Sequence, residues 1–126
     1  QNPDKPHTTA EIAKWTKVPE HYLSKVLLAL AKHEVVYSKK GLHGGYVLAH
    51  DPENIPLLNV INAVDPIKHI NSCPLKLKTH GTNLCRLHKR LNDSIKMIEE
   101  TFRTSTIATV LNDPTQSIPL CESSTL

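Results

Sequence analysis

Aromatic side chains are nearly absent from this 126-residue chain, which holds one Trp, one Phe and three Tyr, 4% of the total. That scarcity excludes the broad base-stacking platform of single-strand binders and leaves the core to Leu, Ile, Val and Ala. No apolar run approaches the roughly 20 residues that cross a bilayer, so no membrane partner is expected. No charged-then-apolar leader opens the chain, which predicts a soluble, cytoplasmic protein. Also absent are a paired-carboxylate site, a Gly-x-x-x-x-Gly-Lys phosphate loop and any nucleophile–base arrangement, so the chain does not read as an enzyme. Glycine is rare too, at four residues, yet Gly41, Gly44 and Gly45 crowd into one short stretch. What is present, 39% hydrophobic and 21% charged residues, suits one ordinary globular domain or a small domain with an extended arm.

The net charge of +3 hides an uneven distribution. Residues 1–50 carry +3 and residues 73–90 carry +5 with no acid, whereas 51–72 carry −2 and 91–126 carry −3. Two basic stretches in a neutral-to-acidic background are suited to phosphate or another anion. The three cysteines, Cys73, Cys85 and Cys121, are an odd number. Without an export signal they read as free thiols, metal ligands or redox switches before a disulfide framework.

Thr8-Thr9-Ala10-Glu11 is a capping box, with Ile12 and Ala13 giving the following helix its apolar side. Pro19-Glu20 opens a second helix, Pro at a first-turn position and an acid where the helix dipole favours it. In that helix Tyr22, Leu23, Val26, Leu27, Leu30 and Ala31 recur at helical spacing as one buried stripe, while His21, Ser24, Lys25 and Lys32 fall outside it. Two short helices joined by three or four residues have the layout of a helix-turn-helix. Strands at 35–38 and 45–49 then flank Lys39-Lys40-Gly41-Leu42-His43-Gly44-Gly45, whose glycines suit a hairpin, or wing. A short helix spans about 57–64, and residues 66–83 read as loop. From about Leu84 to Leu111 runs one long helix with a narrow seam of Leu84, Leu87, Leu91, Ile95, Ile98 and Phe102. Such a seam favours a partner helix, most simply from a second copy. The fold class expected is mainly α with a small β-hairpin wing.

These pieces together resemble the Rrf-two (BadM-type) family of winged-helix transcription regulators, of the IscR/NsrR-like kind. The resemblance rests on Thr9-Ala10-Glu11-Ile12-Ala13, on Tyr22-Leu23 with Val26, Leu27 and Leu30, on the wing 39–49, and on Val60-Ile61-Asn62-Ala63-Val64. It covers roughly residues 8–111. It implies a homodimer on double-stranded DNA, with the helix from Pro19 in the major groove and the wing in the minor groove. The DNA-contacting residues expected are Thr9, Pro19, His21, Tyr22, Ser24, Lys25, Lys39, Lys40, Gly41, His43, Gly44 and Gly45. Residues 1–50 would be the DNA-binding region, 51–85 a short helix and sensor loop, 86–112 the dimerisation helix, and 113–126 a flexible tail. Two departures stand out. The chain begins almost at the capping-box segment, where the family has a preceding helix, and Lys40 stands where the family usually has Arg. Lysine is a point charge without the planar two-pronged contact, so phosphate contact is favoured over base readout there.

The resemblance also implies an effector, either nitric oxide, an oxidant or a 2Fe–2S cluster, acting at the loop before the long helix. Cys73 and Cys85 match the first and third cluster cysteines of the family, and the second falls at Thr79, beside His80. His88 lies one helical turn beyond Cys85, so a cluster held by Cys73, Cys85, His88 and His80 has the thiolate and imidazole ligands of Rieske-type chemistry. Lys76, Lys78, Arg86, Lys89 and Arg90 would offset its charge. A thiol redox switch, or no sensing through these residues, remains open beside it, and the spacing matches no compact zinc motif. A winged helix used for protein contact, free of any cluster, is the alternative function. His7, His33, His50 and His69 read as solvated surface groups, and Cys121 as incidental.

Overall fold

A computed structural model describes residues 4–80 and 83–114; the tail with Cys121 lies outside them. Helix α1 spans Thr9–Thr16 and α2 spans Glu20–Lys32. Strands β1, Val36–Lys39, and β2, Gly45–Leu48, pair antiparallel, with Val36 opposite Leu48 and Lys39 opposite Gly45. A single 3-10 turn at Pro52–Asn54 leads to α3, Leu57–Val64, and a long irregular loop reaches α4, Arg86–Thr104. Helix α5, Ile107–Asn112, is the last element described. The protein is thus mainly helical with one two-stranded hairpin.

Thr8 caps α1 as the sequence predicts: its Oγ1 accepts from the Glu11 amide at 3.2 Å, and the Glu11 carboxylate accepts from the Thr8 amide at 2.8 Å. Lys17 leaves α1 in the left-handed conformation, and residues 17–19 turn the chain into α2. Leu23 and Leu27 are the buried anchors of α2. Tyr22 departs from its predicted place in the buried stripe, being 55% exposed. Successive helical residues stand about 100° apart, so a side chain next to Leu23 is carried off the stripe.

The core gathers Val35, Val36, Ile55 and Ala63, with Leu30, Ala31, Tyr46, Leu48, Val60 and Ile107 packed against it. It therefore joins the end of α2, the base of the hairpin, α3 and the start of α5. The hairpin gains a third chain segment: His7 and Tyr46 exchange backbone hydrogen bonds of 3.1 and 2.8 Å. The His7 ring, half-buried, meets Trp15 edge-on at 4.9 Å. This corrects the reading of His7 as a solvated group.

The predicted single helix from Leu84 to Leu111 is corrected to two. The chain leaves helical geometry at Ser105 and Thr106, where Thr106 caps α5 by a reciprocal bond with Thr109. There the Leu57 amide donates to Ser105 O at 2.9 Å and the Ile107 amide to Ile55 O at 3.0 Å. These two bonds stitch the end of α4 to the start of α3. The hydroxyl-rich Thr104-Ser105-Thr106 supplies local alternatives to the helical ladder, which is why the break falls there.

The predicted apolar seam also divides. Asn92, Ile95, Glu99 and Phe102 are half-buried against the chain's own domain, whereas Leu87, Leu91 and Ile98 are exposed on an adjoining face. The inner face grips the loop: Asn92 Oδ1 accepts from the Ile70 amide at 2.9 Å, and His69 Nε2 lies 2.6 Å from Glu99 Oε2. His69 is therefore an internal fastener and not the free surface group its sequence suggests. No helix among the described residues is long and apolar enough to cross a membrane.

Candidate nucleic-acid interface and cysteine loop

Helix α2 presents His21 and Lys25 to solvent, with Pro19 exposed at its N-cap. Ser24 stands between them half-buried, its hydroxyl turned back to Glu20 O at 2.9 Å, so that donor is engaged within the helix. Lys32, seven residues and about two turns beyond Lys25, is exposed as well. Thr9, expected as a contact, is half-buried in the first turn of α1.

The hairpin follows directly. Lys39, Lys40 and His43 are exposed on it, with Lys39 Nζ lying 5.8 Å from the centre of the Tyr37 ring. Its tip is the turn Gly41-Leu42-His43-Gly44, closed by the Gly44 amide donating to Gly41 O at 3.0 Å. Gly41 has φ +113°, outside the range side-chain-bearing residues favour. Gly45 is required twice over, since its φ is +148° and a Cβ there would collide with the backbone of His7. The Gly-Gly-Tyr element thus docks the N-terminal arm on the hairpin as well as shaping the turn. Sequence reasoning missed the pairing of His7 with the hairpin, because a single bridge has no periodicity to detect.

In the cysteine loop the predicted ligands come together only as the pair Cys85 and His88. Cys73 is buried and its carbonyl accepts from the Lys76 amide at 2.9 Å. Cys85 forms the N-cap of α4, where its Sγ lies 3.2 Å from His88 Nδ1. His80 has a buried Nδ1 with no hydrogen-bond partner. Among the described residues no three His, Cys, Asp or Glu side chains come close enough to hold a metal ion. The set Cys73, His80, Cys85 and His88 therefore does not fit a 2Fe–2S cluster as arranged, since such a centre takes four protein ligands. The reason is local: Cys85 and His88 are fixed one turn apart on α4, while Cys73 is held inside the fold. Lys89 is occupied by Asp93 at 2.8 Å, a bond that holds the Asp93 carboxyl below its ordinary range.

A helix-turn-helix followed at once by a glycine-closed basic hairpin defines a winged-helix protein. The chain matches, over residues 1–113, the family described as Rrf2, an iron-dependent transcriptional regulator. It is 32% identical over 114 residues to a candidate HTH-type transcriptional regulator of Aquifex aeolicus, covering 88% of this chain and 79% of that one. It is also 32% identical over 108 residues to the HTH-type transcriptional regulator IscR of Sodalis glossinidius, covering 86% of this chain and 66% of the relative. The chain thus spans just under two thirds of that IscR. Among solved structures, IscR of T. potens superposes with a TM-score of 0.70 at 24% identity, covering 89% of this chain and 73% of the other, a likeness of fold. The chain belongs to the Rrf2 family of transcriptional regulators. Those relatives are regulators and not enzymes.

Proposed function

We propose that this protein is a sequence-specific regulator that binds double-stranded DNA as a homodimer and responds to an oxidant through Cys85. One observation carries the reading: a helix whose outer face bears His21, Lys25 and Lys32 runs into a hairpin bearing Lys39, Lys40 and His43. Helix and hairpin are the two elements that winged-helix proteins lay against a duplex, and their cations supply the phosphate attraction. Leu87, Leu91 and Ile98 support the dimer, since they share one exposed face of α4 that a second copy would cover.

The Cys85–His88 pair supports a thiol response in place of a cluster. With a peroxide as oxidant, a sulfur–oxygen bond forms as the oxygen–oxygen bond breaks. Sulfur loses two electrons to become a sulfenic acid, and the second oxygen leaves as water with the thiol proton that His88 Nδ1 is placed to relay. Cys73, being buried, is the less accessible thiol.

Titration of the reduced protein against a duplex at graded salt tests the reading. Log affinity is expected to fall linearly with log salt, by roughly 0.9 per phosphate contact. Peroxide should change the affinity of the parent and leave Cys85→Ser unchanged. No salt-sensitive affinity for any duplex would replace this reading with a winged-helix module acting through a partner protein. Anaerobically purified protein should be colourless; bands between about 300 and 500 nm that vanish in Cys85→Ala would restore the cluster.

A further inference from the structure

Leu42 is 95% exposed, the most exposed of the large hydrophobic residues described, and it stands at the second position of the turn Gly41-Leu42-His43-Gly44. Tight turns are ordinarily filled by Gly, Asn, Asp, Ser or Pro, each of which helps the backbone bend. Leucine contributes nothing of that kind, and at this exposure it packs against nothing in its own chain. Folding therefore gives no account of it. Its neighbours narrow the account further, because Lys39, Lys40 and His43 are exposed on the same hairpin. An apolar side chain at the tip of a cationic hairpin has the two properties that minor-groove proteins combine: charge for the phosphate walls, and a hydrophobic wedge for the floor or a base step. The turn is also held in shape, by the Gly44–Gly41 hydrogen bond below it and by the pairing of Tyr46 with His7 behind it. A wedge on a pre-shaped support loses little freedom on insertion.

We infer that Leu42 is an apolar wedge that enters the minor groove of duplex DNA and supplies a salt-independent, sequence-sensitive part of the affinity. This rests on the DNA-binding reading above and adds to it a residue of different chemistry from the cations. The steps that open most easily are pyrimidine–purine steps, so the wedge favours duplexes with TA or CA at the wing site.

The test compares the parent with Leu42→Ala, Lys40→Ala and Leu75→Ala. The probes are two duplexes of equal length, one rich in TA steps and one built of G/C runs. Because Leu42 touches nothing, Leu42→Ala should melt at the parent's temperature, so a binding change cannot be blamed on misfolding. It should lose on the order of tenfold in affinity for the TA-rich duplex, with the slope of log affinity against log salt unchanged. Lys40→Ala should instead reduce that slope by about one. Leu75→Ala removes a leucine that is itself 72% exposed but sits in the cysteine loop, and it should bind as the parent does. A 2-aminopurine placed at a TA step should brighten with the parent and stay dim with Leu42→Ala. Salt-sensitive binding by the parent, with equal affinity and equal brightening in Leu42→Ala, overturns the wedge and leaves the DNA-binding reading standing. A parent that binds neither duplex overturns both.

Discussion

The winged unit and the long helix α4 are built on opposite terms. Buried Val35, Val36, Ile55 and Ala63, with Leu30, Leu48 and Val60 packed against them, join the end of α2, the hairpin and α3 in one core. Helix α4, at 19 residues, is the longest among the described residues, yet none of its residues is buried. It is anchored along one side only, through Asn92, Glu99 and the stitch at Ser105, while Leu87, Leu91 and Ile98 stay in water. The difference teaches where stability and association come from. The first region contains its own hydrophobic partners; the second is half supplied, and in the proposed homodimer another copy would cover the rest.

Four substitutions sharpen that contrast. Ile55 is only 3% exposed at the centre of the core, so Ile55→Ala should destabilise the monomer by about 3 kcal/mol, read as a lower denaturant midpoint. Leu91→Glu should leave the midpoint of the isolated monomer nearly unchanged and weaken self-association by roughly 2 kcal/mol, read by sedimentation. An equal loss from both would dissolve the distinction between the regions. The smallest effect belongs to the rim of the core: Thr8→Ala should cost about 1 kcal/mol by removing the cap of α1. The backbone amide of Thr8, bonded to Glu11, holds that carboxyl below its ordinary value of 4.5. The stability this bond gives is present above the ordinary carboxylate range and fades as pH falls through the lowered value. A Glu11→Gln variant should lack that acid-limb loss in a pH series of melting temperatures.

The same contrast explains what the sequence made legible. The capping box at Thr8, the stripe at Leu23 and Leu27 and the glycine hairpin are local signals, each decided within a few residues, and the structure follows them. What went unread depends on residues far apart in the chain. The break at Ser105 is stabilised by Leu57 and Ile55, the half-burial of His69 by Glu99, and the strand pairing of His7 by Tyr46. The seam on α4 shows the limit plainly, because apolar periodicity cannot tell a face turned to its own domain from a face left for a partner. The cysteine loop shows it again: the family resemblance implied a ligand set, but a helix end and a buried thiol decide where Cys85 and Cys73 lie.

The hydrogen bonds joining Leu57 to Ser105 and Ile107 to Ile55 set two distant points of the chain side by side. Between them α3 stays packed on the winged unit, while the cysteine loop and α4 leave it and return to the place the chain left. That excursion is a cassette, with its natural cut sites at Pro56 and Thr106. Exchanging it between relatives, with the core face of α3 kept, would transplant the cysteine loop and α4 while α2 and the hairpin keep their own closure.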